Sequence, residues 1–193
     1  MFIQVVQGRC TRRDELRTAM QETMQEMAPG EGFLGGTYGF TDDNELVAVT
    51  RFSDREAAMA SSARPEAEAA SQRMMTLMDG PVRFHNCDDV TIFLDGGSDR
   101  AGFVQIIQGR IDDPRRLKAM LADASLLHQL RPEMIGGTLA VEEDGTFTQT
   151  VAFTDEDAAR RDEKVTPPPD VQDELTSALR GATYYDLHEP WFM

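Results

Sequence analysis

Tyr184, Tyr185, His188 and Trp191 crowd the C-terminal end of this 193-residue chain. Phenol and imidazole groups can orient a phenolic or keto substrate, or move a proton. Their counterparts in an internal repeat described below are Arg83, Phe84, Cys87 and Val90, so a specialised site in the second half would explain the asymmetry, and packing of the tail would explain it equally. His85 and Cys87 lie two apart with Asp89 next in phase, three ligand types on one face if a strand runs through them. The repeat carries Asp186, His188 and Pro190 at those places, so no ligand set recurs and no metal site is expected. Gln7 and Arg9, with their copies Gln108 and Arg110, share one strand face, whereas Gln4 and Gln105 share the other. They are either polar handles in an apolar pocket or groups that satisfy buried backbone, and the second reading is preferred. Met20, Met24, Met27, Met59, Met74, Met75 and Met78 concentrate on the first copy's helices, against Leu121 and Leu179 at two equivalent positions. Such flexible, polarizable side chains suit an adaptable cavity between helices and sheet, although ordinary core is the default.

Several chemistries are absent. There is no glycine-rich phosphate loop, zinc-type cysteine pair, nucleophile elbow or kinase signature. A net charge of −15 with no basic stripe argues against nucleic acid and anionic membrane surfaces as partners. No apolar run approaches the roughly 20 residues of a spanning helix, and the start has neither a basic segment nor a cleavage site. A cytoplasmic protein with two reduced cysteines is the expectation. Basic character rests on arginine, with Lys118 and Lys164 the only lysines, a composition typical of high-GC bacteria.

The elements that must position these residues come from a duplication. Phe2-Ile3-Gln4-Val5-Val6-Gln7-Gly8-Arg9 returns as Phe103-Val104-Gln105-Ile106-Ile107-Gln108-Gly109-Arg110, 101 positions later, and the register holds without a gap. Leu34-Gly35-Gly36-Thr37 meets Ile135-Gly136-Gly137-Thr138, and Phe52-Ser53-Asp54 meets Phe153-Thr154-Asp155. Two homologous domains, 1–97 and 101–193, joined at Asp95-Gly96-Gly97-Ser98-Asp99, follow.

Each copy opens with a β-branched run that suits a strand central in its sheet. One amphipathic helix follows, carrying Leu16, Met20, Met24 and Met27, or Leu117, Leu121 and Ala124, at helical spacing. Two strands come next, divided by the tight-turn chemistry of Asp42-Asp43-Asn44 and Glu143-Asp144-Gly145. Ser53 with Glu56, and Thr154 with Asp157, form capping boxes for a second helix. Pro65 and Pro167-Pro168-Pro169 break that helix in two, and Gly80 and Gly181 stop it. Gly35-Gly36 inside a strand marks a bulge or a close backbone approach. A last short strand gives β-α-β-β-α-β twice, the ferredoxin-like α+β pattern with both helices on one face of an antiparallel sheet. A bare sheet face on so small a domain needs a partner. The expected architecture is therefore two tandem ferredoxin-like βαββαβ domains whose sheets pack face to face as an intramolecular dimeric α+β barrel, leaving the chain a monomer.

Gln7-Gly8-Arg9, Gly35-Gly36-Thr37 and Glu189-Pro190-Trp191 resemble the dimeric α+β barrel superfamily, and in particular tandem members of its antibiotic-biosynthesis-monooxygenase-like branch. The resemblance covers nearly the whole chain and implies the architecture rather than a chemistry. It brings cofactor-free oxygenation, haem degradation, haem peroxidase-like and dismutase activity, isomerisation and inactive members into view. Neither Trp191 nor His128 reproduces the haem-binding constellations of that superfamily, so no cofactor is expected. Two readings stay open. One is a small-molecule-binding barrel, with cofactor-independent oxidation of an aromatic or polyketide-like compound and Gln7, Arg9, His85, Gln108, Arg110, Tyr185, His188 and Trp191 as candidate ligand contacts. The other is a non-catalytic stress-response or interaction barrel.

Overall fold

The computed structural model describes residues 1–26, 29–97 and 99–193; Met27 of the first helix and Ser98 of the inter-repeat segment lie outside them. The chain forms two compact units, Met1–Asp88 with Trp191–Met193, and Asp89–Pro190. The repeat boundary at 95–99 is thus not the boundary of the packed units, because each unit takes one strand from beyond its own repeat.

In the first unit, β1 (Phe2–Arg9), α1 (Arg13–Glu26), β2 (Phe33–Phe40), β3 (Glu45–Phe52), α2 (Arg55–Ser62), α3 (Pro65–Met75) and β4 (Arg83–Cys87) follow the expected order. The second unit begins with β5 (Asp89–Phe93) and repeats the pattern as β6 (Phe103–Arg110), α4 (Arg115–Ala122), α5 (Ala124–Leu130), β7 (Met134–Val141), β8 (Thr146–Phe153), α6 (Glu156–Asp162), α7 (Pro169–Ala178) and β9 (Thr183–Leu187). The final strand, β10 (Trp191–Phe192), belongs to the first sheet. The sheets run β10-β2-β3-β1-β4 and β5-β7-β8-β6-β9, and every pairing is antiparallel. This is a tandem α+β fold of two ferredoxin-like halves. Neither β5 nor β10 was expected from the sequence. Both are short edge strands whose partners lie far away along the chain, where no local periodicity announces them.

Local chemistry explains most boundaries. Asn44 and Gly145 adopt φ of 64° and 86°, the left-handed residue that closes each three-residue hairpin loop. Register shifts fall between Phe33 and Gly35, and between Met134 and Gly136, so the Gly-Gly pairs do mark bulges. Pro65 opens α3, and Pro169 opens α7, where a missing N–H costs nothing.

Three expectations need correction. The caps of α2 and α6 are Asp54 and Asp155, whose carboxylates accept from the Ala57 and Ala158 N–H groups; Ser53 and Thr154 stand one residue too early. The first helix of the second copy is broken at Asp123, which leaves helical geometry and accepts from the Leu126 N–H to cap α5, an alternative that a short carboxylate readily offers the backbone. Gly181 turns the chain after α7 with φ of 74°, whereas α3 already ends at Met75, well before Gly80.

Candidate functional site

On one face of the first sheet, β1 presents Gln4 and Val6, and β3 presents Leu46, Ala48, Thr50 and Phe52. Gln4 stands opposite Thr50, and Val6 opposite Ala48 on one side and Phe84 on the other. Tyr38 on β2 faces Ala48 from the far side. Small residues keep this wall low. Helices α1 and α3 cover it with Met20 and Met24, and with Met74 and Met75, and Met78 follows in the segment after α3. Between helices and sheet lies a cavity of about 710 Å³ lined by these residues.

The repeat exposes what is particular about this wall. At the positions of Met20, Tyr38, Leu46 and Thr50 the second copy carries Leu121, Leu139, Phe147 and Val151. These four belong to one continuous buried core with Leu117, Ile107 and Phe153. Shape-defined side chains fill that layer, whereas thioethers and small or polar groups leave room in the other.

Polar groups gather on the sheet wall of the cavity. Gln4 Nε2 donates to Asn86 Oδ1 at 3.0 Å. Tyr38 is 5% exposed; burial pushes its phenol pKa up, while a hydrogen bond with Thr50 and the charge of Arg51 pull it the other way. Thr23, another lining residue, donates to the Ala19 carbonyl at 2.8 Å and accepts from Arg73 Nη2 at 3.1 Å. Arg64, Glu68 and the half-exposed Phe84 also line the cavity.

Tyr38 is held from two sides. A Cβ placed on Gly36 would lie 2.1 Å from the Tyr38 hydroxyl, so only glycine lets the ring lie there. Trp191 stands opposite Tyr38 in the β10–β2 pairing, and their rings stack with centroids 5.8 Å apart and planes 20° from parallel.

Most of the residues singled out from the sequence lie elsewhere. Gln7 is fully buried on the opposite sheet face, and neither its oxygen nor its nitrogen has a partner among the described residues. Gln108, its copy, donates to the Thr148 hydroxyl at 2.9 Å. Arg9 and Arg110 are exposed at strand ends, Arg110 lying 4.0 Å from Asp144. His85 and Cys87 do share β4, but Asp89 begins β5 in the other sheet and pairs with Lys118. The strand does not run through all three, and among the described residues no three His, Cys, Asp or Glu side chains are grouped to hold a metal. Tyr185 stands on β9 opposite Ile106. His188 Nδ1 lies 2.8 Å from Glu156, in a network where Arg160 also holds Glu156, Glu163 and Asp186. Gln105 donates to Glu163 and Asp186 within the same network. The aromatic C-terminus is therefore divided: Tyr184, Tyr185 and His188 serve the second unit, and Trp191 the first. Tyr38, Thr50 and Gly36 were missed. The difference between copies finds the first two, since Tyr38 and Thr50 are polar where Leu139 and Val151 are not, but not Gly36, whose counterpart Gly137 is also glycine.

No family model and no curated protein matches this sequence. Solved structures do match it. A candidate monooxygenase from Lactobacillus acidophilus is 12% identical, with 100% of this chain and 98% of that one covered at a TM-score of 0.70. A candidate monooxygenase from Fusobacterium nucleatum is 13% identical, with 96% and 90% covered at 0.72. An anthrone oxidase-like protein is 10% identical, with 98% and 92% covered at 0.60. At such identities the likeness is one of fold. It extends over both halves of this chain.

Proposed function

We propose that this chain, which has the fold of monooxygenase-like α+β proteins, binds a flat and largely apolar aromatic compound in the cavity of its first unit and presents it to dioxygen without a cofactor. The observation that carries this reading is the cavity, about 710 Å³. That size lies within the roughly 300–1,000 Å³ of small-molecule sites. Thioethers from two helices adapt to a ring system, and Tyr38, Thr50 and Gln4 offer hydrogen bonds along one wall. A polycyclic phenol or ketone of the polyketide kind has this division of surface. A phenol is protonated at neutral pH, and burial moves Tyr38 further in that direction, so its O–H donates to a keto or phenolic oxygen. In an anthrone-type compound, the kind named by one structural neighbour, dioxygen converts the ring methylene to a carbonyl and releases water. A methylene proton lost to solvent leaves a carbanion conjugated to the ring carbonyl, Tyr38 stabilises the charge that collects on that oxygen, and both methylene hydrogens leave in the water released. The absence of a disulfide at Cys10 and Cys87 suits a reducing cytoplasm.

The test is calorimetric titration with alizarin, a coloured hydroxyanthraquinone, followed by incubation with anthrone under air. Binding that Ala48→Phe weakens by filling the cavity, with anthraquinone absorbance appearing in the second assay, supports the reading. Binding without turnover reduces the function to that of a non-catalytic carrier. An affinity indifferent to Ala48→Phe, or no binding up to the solubility limit, overturns it.

A further inference from the structure

Trp191 is the single tryptophan of the chain, and its place in the first sheet is secured by little backbone. Strand β10 has two paired residues, Trp191 with Tyr38 and Phe192 with Thr37. Two hydrogen bonds extend the pairing, Gly36 N–H to the Met193 carbonyl at 2.7 Å and Met193 N–H to the Gly36 carbonyl at 3.2 Å. Side chains do the rest. Trp191 is buried against Tyr38 and Phe40, with ring centroids 5.8 and 5.7 Å away, and the Arg17 guanidinium lies 4.9 Å from its ring. Arg17 belongs to α1, the helix that also brings Met20 and Met24 to the cavity.

Two observations separate this contact from ordinary packing. In the second sheet the residue opposite Leu139, the counterpart of Tyr38, is Thr91, so the aromatic pair occurs in the copy with the cavity and is replaced by a Thr–Leu pair in the copy with the filled layer. The Trp191 indole N–H, moreover, is buried without a hydrogen-bond partner among the described residues, an arrangement that stability alone disfavours.

We propose that the C-terminal strand sets the polar end of the cavity, with Trp191 as a positioning residue that holds the Tyr38 ring so that its hydroxyl meets the bound compound. Trp191 does not line the cavity. It acts through Tyr38, which is clamped between the indole and Gly36, where a Cβ would strike the Tyr38 ring and hydroxyl. The proposal rests on the cavity being the binding site.

The experiment compares wild type with Trp191→Leu, Trp191→Phe and, as a control in the other sheet, Thr91→Ala. Two quantities are read in the full chain. One is alizarin affinity; the other is the near-ultraviolet ionisation of Tyr38 in a Tyr184→Phe, Tyr185→Phe background, where it is the only phenol. Trp191→Leu keeps an apolar side chain on the strand but removes the stack, and is expected to weaken alizarin binding about tenfold, the upper range for an aromatic pair. The Tyr38 phenol then ionises at lower pH, because water reaches a ring that burial had protected. Trp191→Phe is expected to restore both quantities, and Thr91→Ala to change neither. Unchanged affinity and titration in Trp191→Leu overturn the proposal, as does a loss of affinity with the Tyr38 titration unmoved. If wild type does not bind alizarin, the proposed function fails, and the Tyr38 titration alone still decides whether Trp191 positions the phenol.

Discussion

Gly36 and Gly137 occupy the same place in the two copies, yet a methyl group on each would meet different obstacles. On Gly36 it strikes the far end of the Tyr38 side chain at 2.1 Å, and on Gly137 it strikes the Thr150 carbonyl oxygen at 1.9 Å. A side chain can rotate away; a backbone carbonyl in a sheet cannot. Gly36→Ala is expected to cost roughly 1–3 kcal/mol of stability, as overpacking does, and to displace Tyr38 so that alizarin binding is lost. Gly137→Ala is expected to cost more, and urea denaturation of the two variants measures the difference. Gln7 shows the reverse situation, a residue whose chemistry works against its surroundings. Its neighbours across the strands are Val47 and Arg83, whereas Gln108 faces Thr148 and finds a hydrogen bond. Gln7→Met removes two unpartnered buried atoms and is expected to stabilise the chain by about 1 kcal/mol. A lowered urea midpoint would mean that the amide has a partner in solution.

The ends of elements are held by carboxylates, which gives the fold a definite response to acid. Asp54 caps α2, Asp79 accepts the Thr11 N–H, Asp113 binds the Arg115 side chain and N–H, and Asp144 accepts the Thr146 N–H. These hydrogen bonds hold each carboxyl below its ordinary range, Asp113 at about 2. Glu156 is lowered too, chiefly by His188. A carboxyl whose folded pKa is depressed contributes stability above its unfolded value, about 4, and loses that contribution as pH falls towards the folded value. Asp162, raised by burial, works in the opposite direction and over a higher range, its contribution fading as pH rises from about 4 through its folded value. The melting temperature is therefore expected to be level above about pH 5 and to fall between about pH 4 and 2. Asp54→Ala and Asp113→Ala lower it at neutral pH and shrink the acid loss. Melting curves recorded from pH 7 to 2 test this, and an acid slope unchanged by both substitutions would count against the assignment.

At the scale of the molecule the duplication is unequal. Two units with the same strand order differ in their helix-to-sheet layers, one hollow and lined by methionine, the other packed with Leu117, Leu121, Leu139 and Phe147. One alizarin per chain is therefore the expected stoichiometry, and a calorimetric value near two would mean that the second layer also opens. Strands β5 and β10, which complete the two sheets, both come from this chain, so no second copy is needed to supply an edge. Light scattering after size exclusion is expected to give the mass of one chain, about 21.5 kDa. A dimer at every concentration would contradict that.

The duplication, the β-α-β-β-α-β core of each copy, the proline breaks, the hairpin loops and the strand bulges at the Gly-Gly pairs can all be read along the chain. All of these depend on residues close together in the chain or on a repeat that preserves its register, as Phe2 to Arg9 and Phe103 to Arg110 do. The methionine layer was legible as well, though not whether it enclosed space. Folding in three dimensions places a cavity in the first half, takes Trp191 out of its own repeat to stack on Tyr38, and parts His85 and Cys87 from Asp89. A cavity is the volume left over when side chains from several strands and helices meet, and no single residue or period encodes that remainder. Strand partners from opposite ends of the chain are chosen by the whole sheet, so a two-residue strand such as β10 carries no local signature of where it will dock.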